Sequence, residues 1–447
     1  MSRALRALLL VVGLCGHVML QAVPAWNSIH KAPSGRDFAS YYYALQVAAD
    51  GGNPYDTAAM EQVARGEHTR KQVHPFFYPP PFLAVVGWAK PLSLFAAYKA
   101  SFWLNETALF GCLSIGVFYF GVPLWAVVAL LWTWSPIPDN MWMGQANLWA
   151  LFPALAGLAL AERGRLKSGG VLVGLAAMLK MSPALFLLYW LIRRRWMAVG
   201  AAAVTAVVLS ATMLPLVDLA AQKELYLTIP PGFSAGDYHG LSVPISLPAN
   251  HSIPDLFDRA FPSSGRLLSD NARHASSLVA LVLLAKWAWF AHKARSPNAA
   301  LGALTVLMVA IPVYTYEHHL VFLLVAVGIA AGGVQAVAAE DWQAGRRNRA
   351  AMWWITLLLA WFFLAWPLGW LRGAQAEFPD GWGWAFRESK TMAEGAFFLL
   401  LLALSRRNSL SCAGRTAPHP DVAGARAPAA AEHRPYQSDQ VPPAAQP

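Results

Sequence analysis

The chain has 447 residues, of which 57% are hydrophobic and 13% are charged, and its formal net charge at pH 7 is +10. Soluble domains carry about 25% charged residues, so this composition excludes a soluble enzyme, and the many large apolar residues exclude disorder over most of the chain. The basic residues stand in short clusters between apolar segments, which indicates a multi-pass membrane protein and excludes nucleic acid as a partner.

The first predicted element is an apolar run from Ala7 to Val23, preceded by Arg3 and Arg6. A cleaved signal peptide would show the same pattern. Because many apolar segments follow, we interpret the run as an uncleaved transmembrane helix whose basic N-terminus stays in the cytoplasm. Residues 24–80 then form a long first external loop.

The first loop contains the sequence RDFASYYYALQVAADGGNPYD, which begins at Arg36. A short helix is predicted over residues 41–50, and the glycine pair that follows ends it. Asp37 precedes this helix and could serve as its N-cap. A carboxylate near the bilayer could also act as a general base for a hydroxyl nucleophile, with Arg36 and Tyr41 beside it as substrate contacts.

The end of the first loop reads FYPPPFLAVVGW over residues 77–88. Its three consecutive prolines fix an extended entry into the next apolar segment. His74 and Tyr78 stand just before that segment. These two side chains are either structural or contacts to a bound ligand.

Four apolar runs follow, at residues 82–98, 101–120, 124–136 and 146–161. A basic cluster at residues 163–167 comes after them. An external first loop and a cytoplasmic basic cluster require an odd number of crossings between them. One of the four runs is therefore not a separate crossing, and the sequence does not identify which one.

Residues 168–192 lie between two basic clusters and are too few for two full crossings of about 20 residues each. They predict a hairpin of two short helices, with Lys180 and Pro183 near its middle. An ionisable group within an apolar segment is costly and commonly functional. Lys180 could hold a lipid phosphate as a point charge, or it could extend its ammonium to the membrane surface.

Further spans are predicted at residues 197–216, 275–292, 299–317, 319–338, 352–371 and 392–406. The result is an all-α polytopic membrane protein with about 12 transmembrane helices, both termini inside and external loops at 24–80, 217–274 and 372–391. One transmembrane domain covers residues 1–407. Residues 408–447 are rich in Ala, Pro, Gly and Arg and predict a disordered cytoplasmic tail.

The sequence YEHHL, at residues 316–320, joins two apolar segments on the outer side of this topology. Its histidines, His318 and His319, could bind or protonate a phosphate leaving group near neutral pH, and a plain polar turn is the alternative. Being adjacent, they cannot form the i, i+4 pair of a helical metal site. The chain also lacks a Walker A motif, a DxD and an HExxH, so we expect neither a metal nor another cofactor.

A series of short motifs occurs along the chain. In order they are DF..YY.A and GG.PYD within 37–56, YPP at 78–80, GQAN at 144–147, RGR at 163–165, GLAAMLKMSP at 174–183, RRR at 193–195, NHS at 250–252 and YEHHL at 316–320. The series resembles glycosyltransferase family 87, whose members are polytopic enzymes of the GT-C type that use polyprenyl-phosphate sugars. The chain is similar to the polyprenol-phosphate-mannose-dependent α-mannosyltransferases of actinobacterial envelopes.

The resemblance implies roles for individual residues. Asp37 would be the base that deprotonates the acceptor hydroxyl, and polyprenyl phosphate would leave from the anomeric carbon of the sugar. His318 or His319, with His319 preferred, would be the essential histidine. Lys180 and Gln145 would bind the donor, and no metal would be required.

The resulting hypothesis is a membrane glycosyltransferase that moves a sugar, with mannose favoured, from a polyprenyl-phosphate donor to an envelope acceptor. The reaction would take place at the outer face of a bacterial inner membrane, and the acceptor would be a lipid, a glycan or a protein hydroxyl. A secondary transporter is disfavoured by the long external loops and by the lack of a visible repeated half. An envelope glycan polymerase or ligase, which also uses lipid-linked sugars, is a further alternative.

Overall fold

The computed structural model describes residues 2–69, 72–239, 243–263, 265, 267–367, 369 and 386–407. Within these ranges the secondary structure is helical, and no β-strand occurs among them, as the all-α prediction requires. Five of the described helices are long and apolar enough to cross a membrane, or six if one bent pair is counted as a span. The count of about 12 spans stays a prediction. The predicted tail at 408–447 and most of the predicted loop at 372–391 lie outside the described residues.

The first helix, α1 at Arg3–His30, is longer than the sequence predicted. It passes through Pro24 because a π-helical turn at Val18–Ala22 precedes the proline, which then occupies the first turn of the next helical stretch. A proline is tolerated there, since the amide that it lacks has no partner in that turn. The first loop therefore begins after His30 and not at residue 24.

The first loop carries three helices, α2 at Phe38–Ala49, α3 at Thr57–Gly66 and α4 at Pro81–Val86. The apolar run at 82–98 does not form one helix: α4 ends in a 3-10 turn, and Ser93 caps a new helix, α5, at Leu94–Phe120. Among the four runs, only the one at 101–120 lies in a described helix that is by itself long enough to cross a membrane, namely α5.

A sharp corner lies between the second and the third helix after α5. α6 at Leu124–Thr133 is followed by α7 at Pro136–Met143, and α8 at Asn147–Glu162 leaves α7 at an angle of 119°. Gly144 ends α7 in the left-handed conformation, with φ of 71°. The corner places the GQAN motif inside the protein, because Gly144 allows the reversal that a side chain would strain.

The predicted hairpin is present as α9 at Leu166–Leu179 and α10 at Phe186–Ile192, with Lys180 after the end of α9. Helices α8 and α9 touch at Gly157 and Gly169. A Cβ on Gly157 would lie 2.7 Å from the carbonyl oxygen of Gly169. Small residues thus allow the two backbones to approach closely, as is common between membrane helices.

The remaining described helices include one central span. They are α11 at Trp196–Thr212, α12 at Leu219–Lys223, α13 at Ile229–Ser234, α14 at Ile253–Ala260, α15 at Asp270–His292, α16 at Pro297–Ala310, α17 at Leu324–Gln343, α18 at Arg347–Ala365 and α19 at Ser389–Ser405. A 3-10 turn at Glu317–Leu323 runs directly into α17. The apolar window of this combined span is 83% buried, whereas that of α15 is 17% buried. The turn with the histidine pair therefore begins the central helix of the described bundle.

Candidate active site

A cavity of about 1380 Å³ opens between the first loop, the α7–α8 corner, the hairpin and the turn before α17. Every site residue predicted from the sequence lines this cavity: Arg36, Asp37, Tyr41, His74, Tyr78, Gln145, Lys180, His318 and His319. These residues come from four separate parts of the chain. The fold brings these residues together, and their positions in the sequence do not by themselves require this.

Asp37 stands at the N-cap position of α2, but its side chain makes no capping hydrogen bond. Its Oδ2 accepts a hydrogen bond of 2.7 Å from Nε2 of Gln145. Its backbone N–H donates to the carbonyl oxygen of Met143 at 3.2 Å. The interpretation of Asp37 as a capping carboxylate is therefore wrong, because the carboxylate lies at the cavity and is held by an amide from the α7–α8 corner.

Gln145 connects Asp37 to two tyrosines. Its Oε1 accepts a hydrogen bond of 3.1 Å from each of the hydroxyls of Tyr41 and Tyr78, and the two hydroxyls are 2.6 Å apart. Burial raises the pKa of both phenols, so they stay protonated and can donate. Because the amide oxygen faces these donors, the amide NH₂ must face Asp37.

Lys180 reaches into the cavity and not to the membrane surface. Its Nζ donates to Oδ1 of Asn147 at 2.6 Å and to the hydroxyl of Tyr78 at 3.4 Å. Nδ2 of Asn147 donates in turn to the backbone carbonyl of His318 at 2.9 Å. The interpretation of Lys180 as a lysine extended toward the lipid surface is therefore wrong, and its ammonium is positioned beside the Gln145–tyrosine cluster.

His318 and His319 lie side by side, with ring centroids 4.3 Å apart. Nδ1 of His319 accepts a hydrogen bond of 3.0 Å from the backbone N–H of Tyr316. In the neutral ring, an accepting Nδ1 requires that Nε2 carries the hydrogen. His319 can therefore donate from Nε2 to a ligand, which gives a physical reason for preferring it to His318.

His74 and Arg36 occupy other parts of the cavity wall. The His74 ring is 6.4 Å from the ring of Tyr238. Arg36 has a φ of 45°, in the left-handed region that most residues avoid, and its guanidinium carbon lies 4.6 Å from the centroid of the Trp142 ring. A strained residue directly before Asp37 is typical of a functional segment that surrounding contacts hold in place.

A buried network of charged and polar side chains holds the 3-10 turn at Glu317–Leu323, here called the histidine turn. Nζ of Lys390 donates to Oε1 of Glu317 at 2.5 Å, and His251 Nε2 lies 3.3 Å from Oε2 of Glu317. Lys390 and His251 are fully buried, and Glu317 is 2% exposed. Burial lowers the pKa of His251, which favours a neutral ring. The network joins the turn, the 217–274 region and α19.

The NHS motif attaches the 217–274 region to the segment before the histidines. Asn250 Nδ2 donates to the carbonyl of Val313 at 2.8 Å, and the N–H of Thr315 donates to Oδ1 of Asn250 at 2.9 Å. The hydroxyl of Ser252 also donates to Val313, at 2.8 Å. These contacts fix the backbone that leads to Tyr316. They therefore help to position the turn that carries His318 and His319.

Several residues of this site were not predicted from the sequence. Asn147 belongs to the GQAN motif, but its bond to Lys180 depends on a partner far away in the chain. Lys390 carried a usable signal, because it is a lysine at the start of an apolar segment, the criterion that identified Lys180. Trp142 and Asp139 gave no signal that separates them from ordinary interfacial residues.

Comparison with known proteins assigns the chain to a family. A family model described as "Glycosyltransferase family 87" matches residues 76–315, which is more than half of the chain. The chain belongs to glycosyltransferase family 87. The family resemblance predicted from the motif series is confirmed, and the apolar helices make this protein a membrane glycosyltransferase of the multi-pass type.

A curated relative adds a more specific comparison. The chain is 30% identical over 218 residues to the polyprenol-phosphate-mannose-dependent alpha-(1-2)-phosphatidylinositol pentamannoside mannosyltransferase of Mycolicibacterium smegmatis. The matched part is 47% of this chain and 50% of the relative, so the chain spans about half the length of that protein. The family match includes Gln145 and Lys180, whereas Asp37 and the histidine pair lie outside it.

Proposed function

We propose that the protein transfers mannose from a polyprenyl-phosphate donor to a hydroxyl of an envelope glycolipid or glycan, at the outer face of a bacterial inner membrane. The proposal rests mainly on the hydrogen bond from Gln145 to Asp37. This bond holds a carboxylate at the cavity in the same cluster as Lys180. The dependence on polyprenol-phosphate-mannose in the name of the mycobacterial relative supports the donor.

The geometry supports Asp37 as the general base. A hydroxyl of the acceptor gives its proton to the Asp37 carboxylate while its oxygen attacks the anomeric carbon of the donor sugar. The bond between that carbon and the phosphate oxygen breaks, and its electron pair leaves with polyprenyl phosphate. Gln145 donates to Oδ2, so the carboxylate is oriented before the acceptor arrives.

The leaving phosphate needs donors of hydrogen bonds and positive charge. Lys180 provides an ammonium, and His319 provides the Nε2–H that its bond from Tyr316 implies. Both line the cavity together with the apolar side chains of Met308, Ile311 and Phe322, along which an isoprenoid chain can pack. Preorganised donors in a site of low dielectric stabilise a developing anion without reorganisation.

The test uses purified protein in lipid vesicles, supplied with polyprenyl-phosphate-mannose and a phosphatidylinositol mannoside. We expect transfer by the wild type and a loss of about 10²–10⁴-fold in kcat for Asp37→Asn, the usual contribution of a general base. Asp50→Asn is the matched control, because Asp50 follows the same helix and is exposed. Equal rates for Asp37→Asn and the wild type would remove Asp37 from the chemistry.

The same assay separates the alternative functions. Family membership favours transfer over transport, and uptake of mannose into vesicles without a covalent product would contradict it. A polymerase or ligase uses the same class of donor but yields long chains or joins preassembled glycans. A product that is one sugar longer than the acceptor supports a single-addition transferase.

A further inference from the structure

The cavity wall next to Asp37 has two chemically different parts. One part is formed by Lys180, whose ammonium presents positive charge beside the hydroxyls of Tyr41 and Tyr78, which themselves donate to Gln145. The other part is formed by Asp139 and Trp142 of α7, which also line the cavity and present a carboxylate and an indole. Asp37 is connected to both parts: its side chain accepts from Gln145, which bonds to the two tyrosines, and its backbone N–H donates to Met143, the residue after Trp142.

The indole of Trp142 is held in one orientation. Its Nε1 donates a hydrogen bond of 2.8 Å to Oδ1 of Asp139, and the Arg36 guanidinium lies 4.6 Å from the ring centroid. The hydroxyl of Tyr98 bonds to the backbone carbonyl of Trp142. The side chain is nevertheless only partly buried and lines the cavity, so part of the ring can contact a ligand.

The chemistry of this second part suits a neutral sugar and not the donor phosphate. The Asp139 carboxylate repels a phosphate in a partly buried site, whereas it can accept hydrogen bonds from sugar hydroxyls. A flat indole packs against the C–H face of a pyranose ring and buries apolar area there. The Arg36 guanidinium lies over the same indole and balances part of the Asp139 charge, so this part, unlike the Lys180 part, carries no net positive charge.

We propose that Trp142 and Asp139 form the subsite for the acceptor, and that this subsite binds the sugar residue whose hydroxyl is attacked by the donor carbon. The acceptor is then a glycan or glycolipid, and it is neither a plain lipid alcohol nor a protein hydroxyl. This inference rests on the proposed transferase function. The subsite holds the acceptor hydroxyl at Asp37 while the donor phosphate stays at Lys180.

The test measures KM for acceptor and donor separately, in the vesicle assay with a phosphatidylinositol mannoside. We expect Trp142→Ala to raise the acceptor KM by about 10-fold or more, with the donor KM unchanged. The slow hydrolysis of polyprenyl-phosphate-mannose by water, measured without acceptor, should also be unchanged. Trp142→Phe, which keeps a flat ring, should have an intermediate KM, and Asp139→Asn should raise it too.

The matched control is Trp196→Ala, since Trp196 is 62% exposed at the start of α11. It should leave both KM values unchanged. If transfer and hydrolysis fall together in Trp142→Ala and Trp142→Phe, the tryptophan is structural and the proposal is overturned. It is also overturned if the wild type uses a polyprenol or a serine peptide as well as the mannoside. Absence of hydrolysis and transfer by the wild type would instead contradict the proposed function itself.

Discussion

Lys180 is the cation that the hydrogen-bond pattern places nearest to the Gln145–tyrosine cluster. Replacing it by methionine keeps the length of the side chain but removes the charge and the bond to Asn147. We expect Lys180→Met to lower kcat by about 10²-fold, because preorganised charge at a leaving phosphate is worth this much or more. Release of polyprenyl phosphate in vesicles measures the effect.

Lys90→Met is the control for this substitution, since Lys90 is exposed at the end of the 3-10 turn after α4. Its kinetics should match those of the wild type. If Lys180→Met keeps the wild-type kcat and donor KM, the phosphate is held elsewhere in the cavity.

Several titratable residues that line the cavity were predictable from the sequence. Asp37, Lys180 and the histidine pair stand out because charged or titratable groups are rare in so apolar a chain. Their partners were not predictable. The amide of Asn147 meets Lys180, and Asn140 meets Asn105 at 3.0 Å, only after helices distant in the chain pack together. Periodicity describes one element at a time and cannot show such contacts.

At the level of elements, the predicted boundaries failed where backbone irregularities occur. The first helix was predicted to end at Val23, but the π-helical turn before Pro24 lets α1 continue to His30. The apolar run at 82–98 looked like one span, but it breaks before Ser93 caps α5. Hydropathy detects apolar composition and does not detect which backbone hydrogen bonds are shifted or lost.

The ion pair between α19 and the histidine turn gives a prediction about packing. Lys390→Met leaves Glu317 as an uncompensated buried carboxylate, and breaking a buried pair in this way costs about 3–5 kcal/mol. Glu317→Gln leaves the lysine without its anion and should also destabilise. The double variant removes both charges, and we expect it to recover much of the lost thermal stability in detergent.

Lys286→Met serves as the control, because Lys286 lies in the apolar helix α15 but is exposed. Its unfolding temperature should be close to that of the wild type. Additive losses in the double variant, equal to the sum of the single ones, would show that the two charges do not depend on each other.

For the whole molecule, the distribution of basic clusters predicts which face carries the cavity. We expect Gly66→Cys, at the exposed end of α3, to react with an impermeant maleimide in intact cells. Asn348→Cys, in an exposed basic segment, should react only after the membrane is opened. The background variant has Cys15, Cys112 and Cys412 replaced by serine. Labelling with the opposite pattern would place the cavity on the cytoplasmic side.

The Glu317–Lys390 pair also bears on how the protein is made. Glu317 is synthesised well before Lys390, so the carboxylate must wait for its cation until the last described helix leaves the ribosome. During that interval Glu317 lacks the cation that it contacts in the folded protein, and burying an unpaired carboxylate is costly. A nascent chain stopped before residue 390 thus already contains Asp37, Lys180 and both histidines, yet it lacks the contact that completes their arrangement.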